Sequence, residues 1–236
     1  LVLHSVLFCF LVYQKLLSPN DNEMAAKLQN KSLEFALLIS IPSAIGLYIL
    51  SFPIVHILFE RGAFTQEDTI YTSNVLAYFA LGLPAYVLIK VLIVCFFARE
   101  DTKTPLYISI VSVITNIILS LILISTMREM GIALATAISA WINAIVLFII
   151  LIIWQTLNLD RQFFRNVIKL LICSLGIIVL TWYLEGFFFA EVYLVDTVTN
   201  IFYLLLTIIL TVVIYGILIF LLKIITITDI KNYLKK

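Results

Sequence analysis

Apolar and polar residues fall in blocks along this chain. Six apolar runs, Leu33–Phe59, Tyr71–Ala98, Leu106–Ser125, Ile132–Trp154, Phe163–Leu184 and Ile201–Ile225, are separated by short polar connections. Each run holds 20 or more residues, and about 20 residues at ~1.5 Å rise each cross the hydrocarbon of a bilayer. Membrane strands are shorter and alternate polar with apolar positions. These runs do not alternate, so they predict helices. Leu1–Leu17 is a further apolar stretch, too short for a secure span and lacking the basic start and small-residue cleavage site of a signal peptide. The pattern predicts an all-α membrane protein with six transmembrane helices plus a partial N-terminal apolar helix.

Composition agrees. Of the 236 residues 63% are hydrophobic and 12% charged, against about 45–50% and 25% in soluble domains; the mean hydropathy is +1.15. One aqueous core cannot hide so much apolar surface, which excludes a soluble enzyme. A net charge of +1 offers no basic patch to a nucleic acid. Orientation follows from the basic residues. Lys15, Lys27, Lys31, Arg99, Lys103, Arg161, Arg165, Lys169, Lys223, Lys231, Lys235 and Lys236 fall in alternate connections, twelve of the fifteen, while the intervening connections hold only Arg61 and Arg128. The richer side is expected in the cytoplasm, with the C-terminus inside.

Little in the chain suggests catalysis. His4 and His56 lie far apart, Cys9, Cys95 and Cys173 have neither disulfide nor metal-ligand spacing, and no hydrolase or phosphate-binding motif is present. No metal or cofactor is implied. Lys90 lies well inside a span, nine residues before Arg99 and so about 13 Å from that end of the helix. An intramembrane lysine lines a polar cavity or snorkels to the surface, and both readings stand. Asn116 and Asn143, in neighbouring spans, suit helix–helix hydrogen bonding or a cavity wall. Pro42 with Gly46, Pro53, and Gly82 with Pro84 mark packing kinks or hinges. Gly131-x-x-x-Ala135 and Ala133-x-x-x-Ala137 put small residues on helix faces, suiting close contact.

Two connections carry more pattern than a turn requires. The outer one reads Phe59-Glu60-Arg61-Gly62-Ala63-Phe64-Thr65, where Gly62 permits a tight turn and Thr65 with Asp68 forms a capping-box pair. The inner one reads Phe96-Phe97-Ala98-Arg99-Glu100-Asp101-Thr102-Lys103-Thr104-Pro105, with Thr104 expected as N-cap ahead of Pro105. In this order, with Ile41-Pro42-Ser43-Ala44 before the first and Lys90 before the second, the chain resembles the MurJ/MviN family of lipid II flippases. That family pairs an F-x-x-G-x-F-T loop with an F-[YF]-[AS]-R-x-D-T-[KR]-T-P loop. The resemblance is good over Ser18–Ser125, looser to Trp154, and rests on hydropathy beyond.

The resemblance implies a second-lobe fragment of a MOP-type flippase, the last six of fourteen helices. Residues 33–154 would be four helices of the second lobe, 155–236 two additional helices and a cytoplasmic tail, and 1–32 a partial apolar segment and loop. It implies residence in the bacterial inner membrane and a lipid-linked peptidoglycan precursor as substrate. Membrane lipids and the missing N-terminal half of the same protein are the other partners, and no nucleic acid is. Transport would be by alternating access, incomplete in this chain alone. The family's cavity arginines map to no residue here. Another MOP-type exporter and a non-transporting scaffold subunit are the alternative readings. Leu1–Lys15 departs from the family's G-x-A-L-x-x-x-L-L-P-x-L-S stretch. One back-translation of it, read from the last base of the Leu1 codon, spells G-I-A-L-S-I-V-L-L-P-R-L-S-K, so Leu1–Gln14 is expected to be translated out of frame. The coding DNA tests this.

Overall fold

Each of the six runs folds as helix in a computed structural model that describes residues 22–154, 159–189 and 197–222. The opening stretch, and with it the frame expectation for Leu1–Gln14, lies outside the described residues. The helices are α1 (Asn22–Ile49), α2 (Ser51–Phe59), α3 (Gln66–Phe97), α4 (Lys103–Met127), α5 (Glu129–Ile153), α6 (Arg161–Phe189) and α7 (Thr197–Leu221). Among the described residues there is no strand. Six stretches of 21 to 32 residues are long and apolar enough to cross a membrane.

The first run is two helices rather than one. Pro53 has no N–H for the carbonyl of Ile49, and the rod breaks at Leu50 (φ −86°, ψ 12°). Leu50 N still donates to Gly46 O at 2.9 Å and Ile54 N to Leu50 O at 3.0 Å, so α2 continues α1 across a bend.

Packing order follows from the inter-helix contacts. Helix α4 lies on α5, α5 on α3, α3 on α1 and α2, and α1 on α6, with α7 against α6 and α2. Helices α4 and α5 form an antiparallel hairpin turned by Arg128 (φ 52°, ψ −132°). Gly131 meets the backbone of Leu123 there, and the Ser112 hydroxyl donates to Ser139 O at 2.9 Å. Helices α3 and α5 run parallel: Gly82 abuts Ala137, and Ala85 clusters with Ala140 and Ala144.

The distribution of residue types is the inverse of a soluble protein's. Buried positions on α5 are Gly131, Ala133, Ala135, Ala137, Ser139, Ala140, Asn143 and Ala144 with only two leucines. On α7 they include Asn200, Thr207, Thr211 and Tyr215. Large aliphatics point outward, Leu121 at 70% and Val179 at 66% exposure among them. Where lipid is the solvent, burying Leu gains little over leaving it in the tails, so close approach of small residues and hydrogen bonds hold the helices together. The small-residue spacings of α5 therefore serve two seams: Gly131 toward α4, Ala137 toward α3. An apolar cluster of Leu33, Leu92, Phe96, Leu147, Leu151 and Phe163 ties α1, α3, α5 and α6 at one end.

Candidate functional site

The Phe59–Thr65 connection is built around Glu60. Its Oε2 lies 2.7 Å from His56 Nδ1 and accepts the Thr69 hydroxyl at 2.6 Å; because a carboxylate only accepts, the hydrogen is on the imidazole nitrogen. Thr69 is fully buried and His56 stacks on Phe52. Burial raises the Glu60 carboxyl pKa, but the hydrogen bonds from Thr69 and His56 outweigh it and hold the group below its ordinary range. Arg61 Nη2 donates to Ile57 O at 3.0 Å, closing the end of α2. Gly62 turns the chain at φ +62°, where a Cβ is disfavoured. Thr65 and Asp68 make the expected capping box: Thr65 Oγ1 accepts from Asp68 N while Asp68 Oδ2 accepts from Thr65 N at 2.8 Å. Phe64 packs on Phe59 across the turn. The motif residues thus clamp the end of α2 onto the start of α3.

The Phe96–Pro105 connection corrects one expectation. Helix α4 begins at Lys103, and Thr102 stands at its N-cap without a capping side chain. Thr104 lies inside the helix, and the cap is Asp101. Its Oδ1 accepts from Lys103 N at 3.0 Å and Thr104 N at 3.1 Å, reaching over Thr102 to two N–H groups that have no intrahelical partner. The Thr104 hydroxyl and N–H hold the Asp101 carboxyl below its usual range. At the end of α3, Asp101 N donates to Phe96 O at 3.1 Å and Glu100 N to Phe97 O at 3.0 Å, a Schellman closure. Its left-handed position is Glu100 at φ 61°, where glycine is the usual occupant. Pro105 is buried in the first turn of α4, and Arg99, Thr102 and Lys103 are exposed.

The three intramembrane candidates do not form one constellation. Lys90 is exposed on α3, in line with the exposed Thr72, Phe79 and Phe97, whose spacings of seven and eleven residues repeat on one helix face. No described helix covers that face at Lys90. Asn143 is 92% buried, its exposure being 8%, and its Oδ1 has no hydrogen-bond partner among the described residues. From the Gly82–Ala137 contact of the parallel pair, Lys90 and Asn143 lie within about 3 Å of the same depth. Asn116 lies about 12 Å away along the axis, judged from the Ser112–Ser139 contact. Its Oδ1 accepts from Ser120 of its own helix at 3.1 Å. Among the described residues no group of His, Cys, Asp or Glu is arranged to hold a metal ion.

Several polar contacts were not read from the sequence. Asn166 Nδ2 donates to both Glu34 oxygens at 3.1 Å, joining α6 to α1. Lys169 Nζ donates to Leu222 O at 2.7 Å, placing a cation at the carbonyl end of α7. Trp141 Nε1 donates to Leu81 O at 2.9 Å, joining α5 to α3, and Tyr215 Oη donates to Leu38 O at 2.6 Å, the carbonyl that Pro42 leaves without an intrahelical donor. Each pair is 60 or more residues apart in sequence except Lys169–Leu222, at 53. A proline announces a carbonyl without a ladder partner, but not which distant helix supplies the donor.

Comparison with known proteins bears on the whole arrangement. The family described as lipid II flippase MurJ matches residues 12–203. A probable lipid II flippase MurJ of Rhizobium meliloti (strain 1021) is 48% identical over 136 residues, 58% of this chain and 25% of the relative. One of Rickettsia prowazekii (strain Madrid E) is 45% identical over 129 residues, 55% of this chain and 25% of the relative. Among solved structures, a lipid II flippase MurJ in an inward closed conformation superposes with a TM-score of 0.67 at 25% identity. It covers 92% of this chain and 46% of that one. The matched part of this chain thus spans about a quarter of the length of these curated relatives.

Proposed function

Because the chain belongs to the lipid II flippase MurJ family, we propose that it forms the rear helices of a transporter that carries a lipid-linked peptidoglycan precursor from the inner to the outer leaflet of the bacterial inner membrane. The observation that carries this reading is the family match over residues 12–203, together with a fold shared across 92% of the chain. The physical task is to pass a polar headgroup across about 30 Å of hydrocarbon while the lipid tail stays in the bilayer. Two lobes rocking about a midplane site accomplish it. In this reading residues 33–154 belong to the second lobe, and 155–236 supply two further helices that guide the tail. The remainder of the same protein supplies the first lobe.

Lys90, on an uncovered face about 13 Å from the inner end of α3, contributes positive potential to the path of the anionic headgroup. Asn143, at nearly the same depth, offers its carbonyl oxygen to a donor there. The Glu60 clamp and the Asp101 cap keep the outer and inner ends of the α1–α4 segment rigid while the rod bends at the Leu50 break. The C-terminus lies in the cytoplasm, a placement that the distribution of the basic residues supports. The work done is transport: no covalent step is assigned to any residue.

The test is rescue of a cell depleted of its own flippase. A chimera in which this chain replaces the matching C-terminal part of the Rhizobium meliloti relative restores growth, and the 236-residue chain alone does not. Rescue by the chain alone, or a well-inserted chimera that moves no precursor, contradicts the proposal.

A further inference from the structure

A proline inside a helix has no N–H for the carbonyl four residues back, and in a bilayer no water replaces it. Pro42 leaves the Leu38 carbonyl of α1 in that position. Tyr215, 177 residues further on, places its hydroxyl 2.6 Å from this oxygen and donates to it. The next carbonyl, Ile39 O, takes the Ser43 hydroxyl at 2.8 Å as well. The phenol ring is 8% exposed and packed with Leu38, Leu170, Cys173 and Ile177.

Helix α7 also holds the other side of the bend. Leu204 clusters with Leu50, the break between α1 and α2, and with Ile57 beyond it. Eleven residues of α7, about 16 Å, therefore join a hydrogen bond before Pro42 to an apolar contact beyond Leu50. We propose that α7 is a splint for the bent α1–α2 rod, and that Tyr215 is the positioning residue that fixes it by filling the acceptor gap made by Pro42. Packing alone would bury the ring, but would not bring its hydroxyl to the carbonyl that proline leaves open. Sliding α7 away removes the donor, so the angle of α1 depends on where α7 sits. The inference uses only contacts within this chain and does not rest on the transport reading.

A double-mutant cycle on the full 236-residue chain in lipid nanodiscs tests it. Pro42→Ala restores an N–H for Leu38 O and makes the tyrosine hydroxyl redundant. With Pro42 present, Tyr215→Phe lowers the unfolding midpoint by about 2–4 °C, the shift that loss of one hydrogen bond gives at this size. In the Pro42→Ala background the same change moves it by less than about 1 °C. An equal drop in both backgrounds, or none in either, overturns the proposal. Should Pro42→Ala not fold, spin labels at the exposed Phe35 and Leu58, on either side of both Pro42 and the break at Leu50, decide. Tyr215→Phe broadens their distance distribution if Tyr215 sets the bend, and an unchanged distribution refutes it.

Discussion

Glu100 and Asp101 divide the work of one tight turn. Glu100 sits at φ 61°, which costs a residue with a Cβ about 1–2 kcal/mol, while glycine there loses about 0.5–1 kcal/mol in unfolded-state entropy. Glu100→Gly is therefore expected to raise stability by about 0.5–1 kcal/mol, read as a higher unfolding midpoint of the purified chain. Asp101→Ala removes the cap of α4 and is expected to cost about 1 kcal/mol. The three carboxyls held low, Glu60, Asp68 and Asp101, fix a pH dependence. A folded-state value below the unfolded one gives stability that is complete above the ordinary carboxylate range and lost as pH falls through the lowered value. The unfolding midpoint of the wild-type chain should fall on acidification below about pH 5, and Glu60→Gln should flatten part of that fall; an unchanged slope contradicts the clamp. The capping box was legible in the spacing of Thr65 and Asp68. The Asp101 cap was not, because Thr104 before Pro105 obeys the same local rule and only the Schellman turn at Glu100 decides where α4 begins.

Helices and their faces were largely legible, and their partners were not. Block hydropathy places all six spans because an unpaired backbone cannot be left in lipid, so each long run has to be helix. The break at Leu50 lies within a run that stays apolar throughout, and Pro53 alone does not say whether the helix bends or stops. The small residues of α5 were readable as close-contact faces, but assigning Gly131 to α4 and Ala137 to α3 takes coordinates. That assignment gives a paired prediction. A Cβ on Gly131 would lie 2.6 Å from Leu123 O, a backbone atom, whereas one on Gly46 meets nothing within 4 Å. Gly131→Ala should destabilise by about 1–3 kcal/mol, and Gly46→Ala should be neutral or stabilising by up to about 1 kcal/mol. Denaturant titration of both variants checks this, and equal effects contradict the packing of the hairpin.

At the scale of the molecule, small and polar residues line the close helix seams, many large aliphatic residues face out, and the two patterned connections cap opposite ends of the bundle. Helix α4 shows this most plainly: its buried residues are Pro105 and Ser112 alone, so most of its surface is left uncovered by the described helices. Lys90 was legible as a cation in an apolar run. That it lies on an uncovered face, level with Asn143, depends on the parallel packing of α3 and α5, which charge and hydropathy do not encode. The account rests on a chain that threads the bilayer six times, with the Glu60–Thr65 connection and the Arg99–Lys103 connection on opposite faces. Single cysteines at Ala63 and Thr102, both exposed, in a cysteine-free background test this most directly through labelling of intact spheroplasts with a membrane-impermeant maleimide. Ala63→Cys should label at once and Thr102→Cys only after permeabilisation; the reverse order, or labelling of both from outside, contradicts the account.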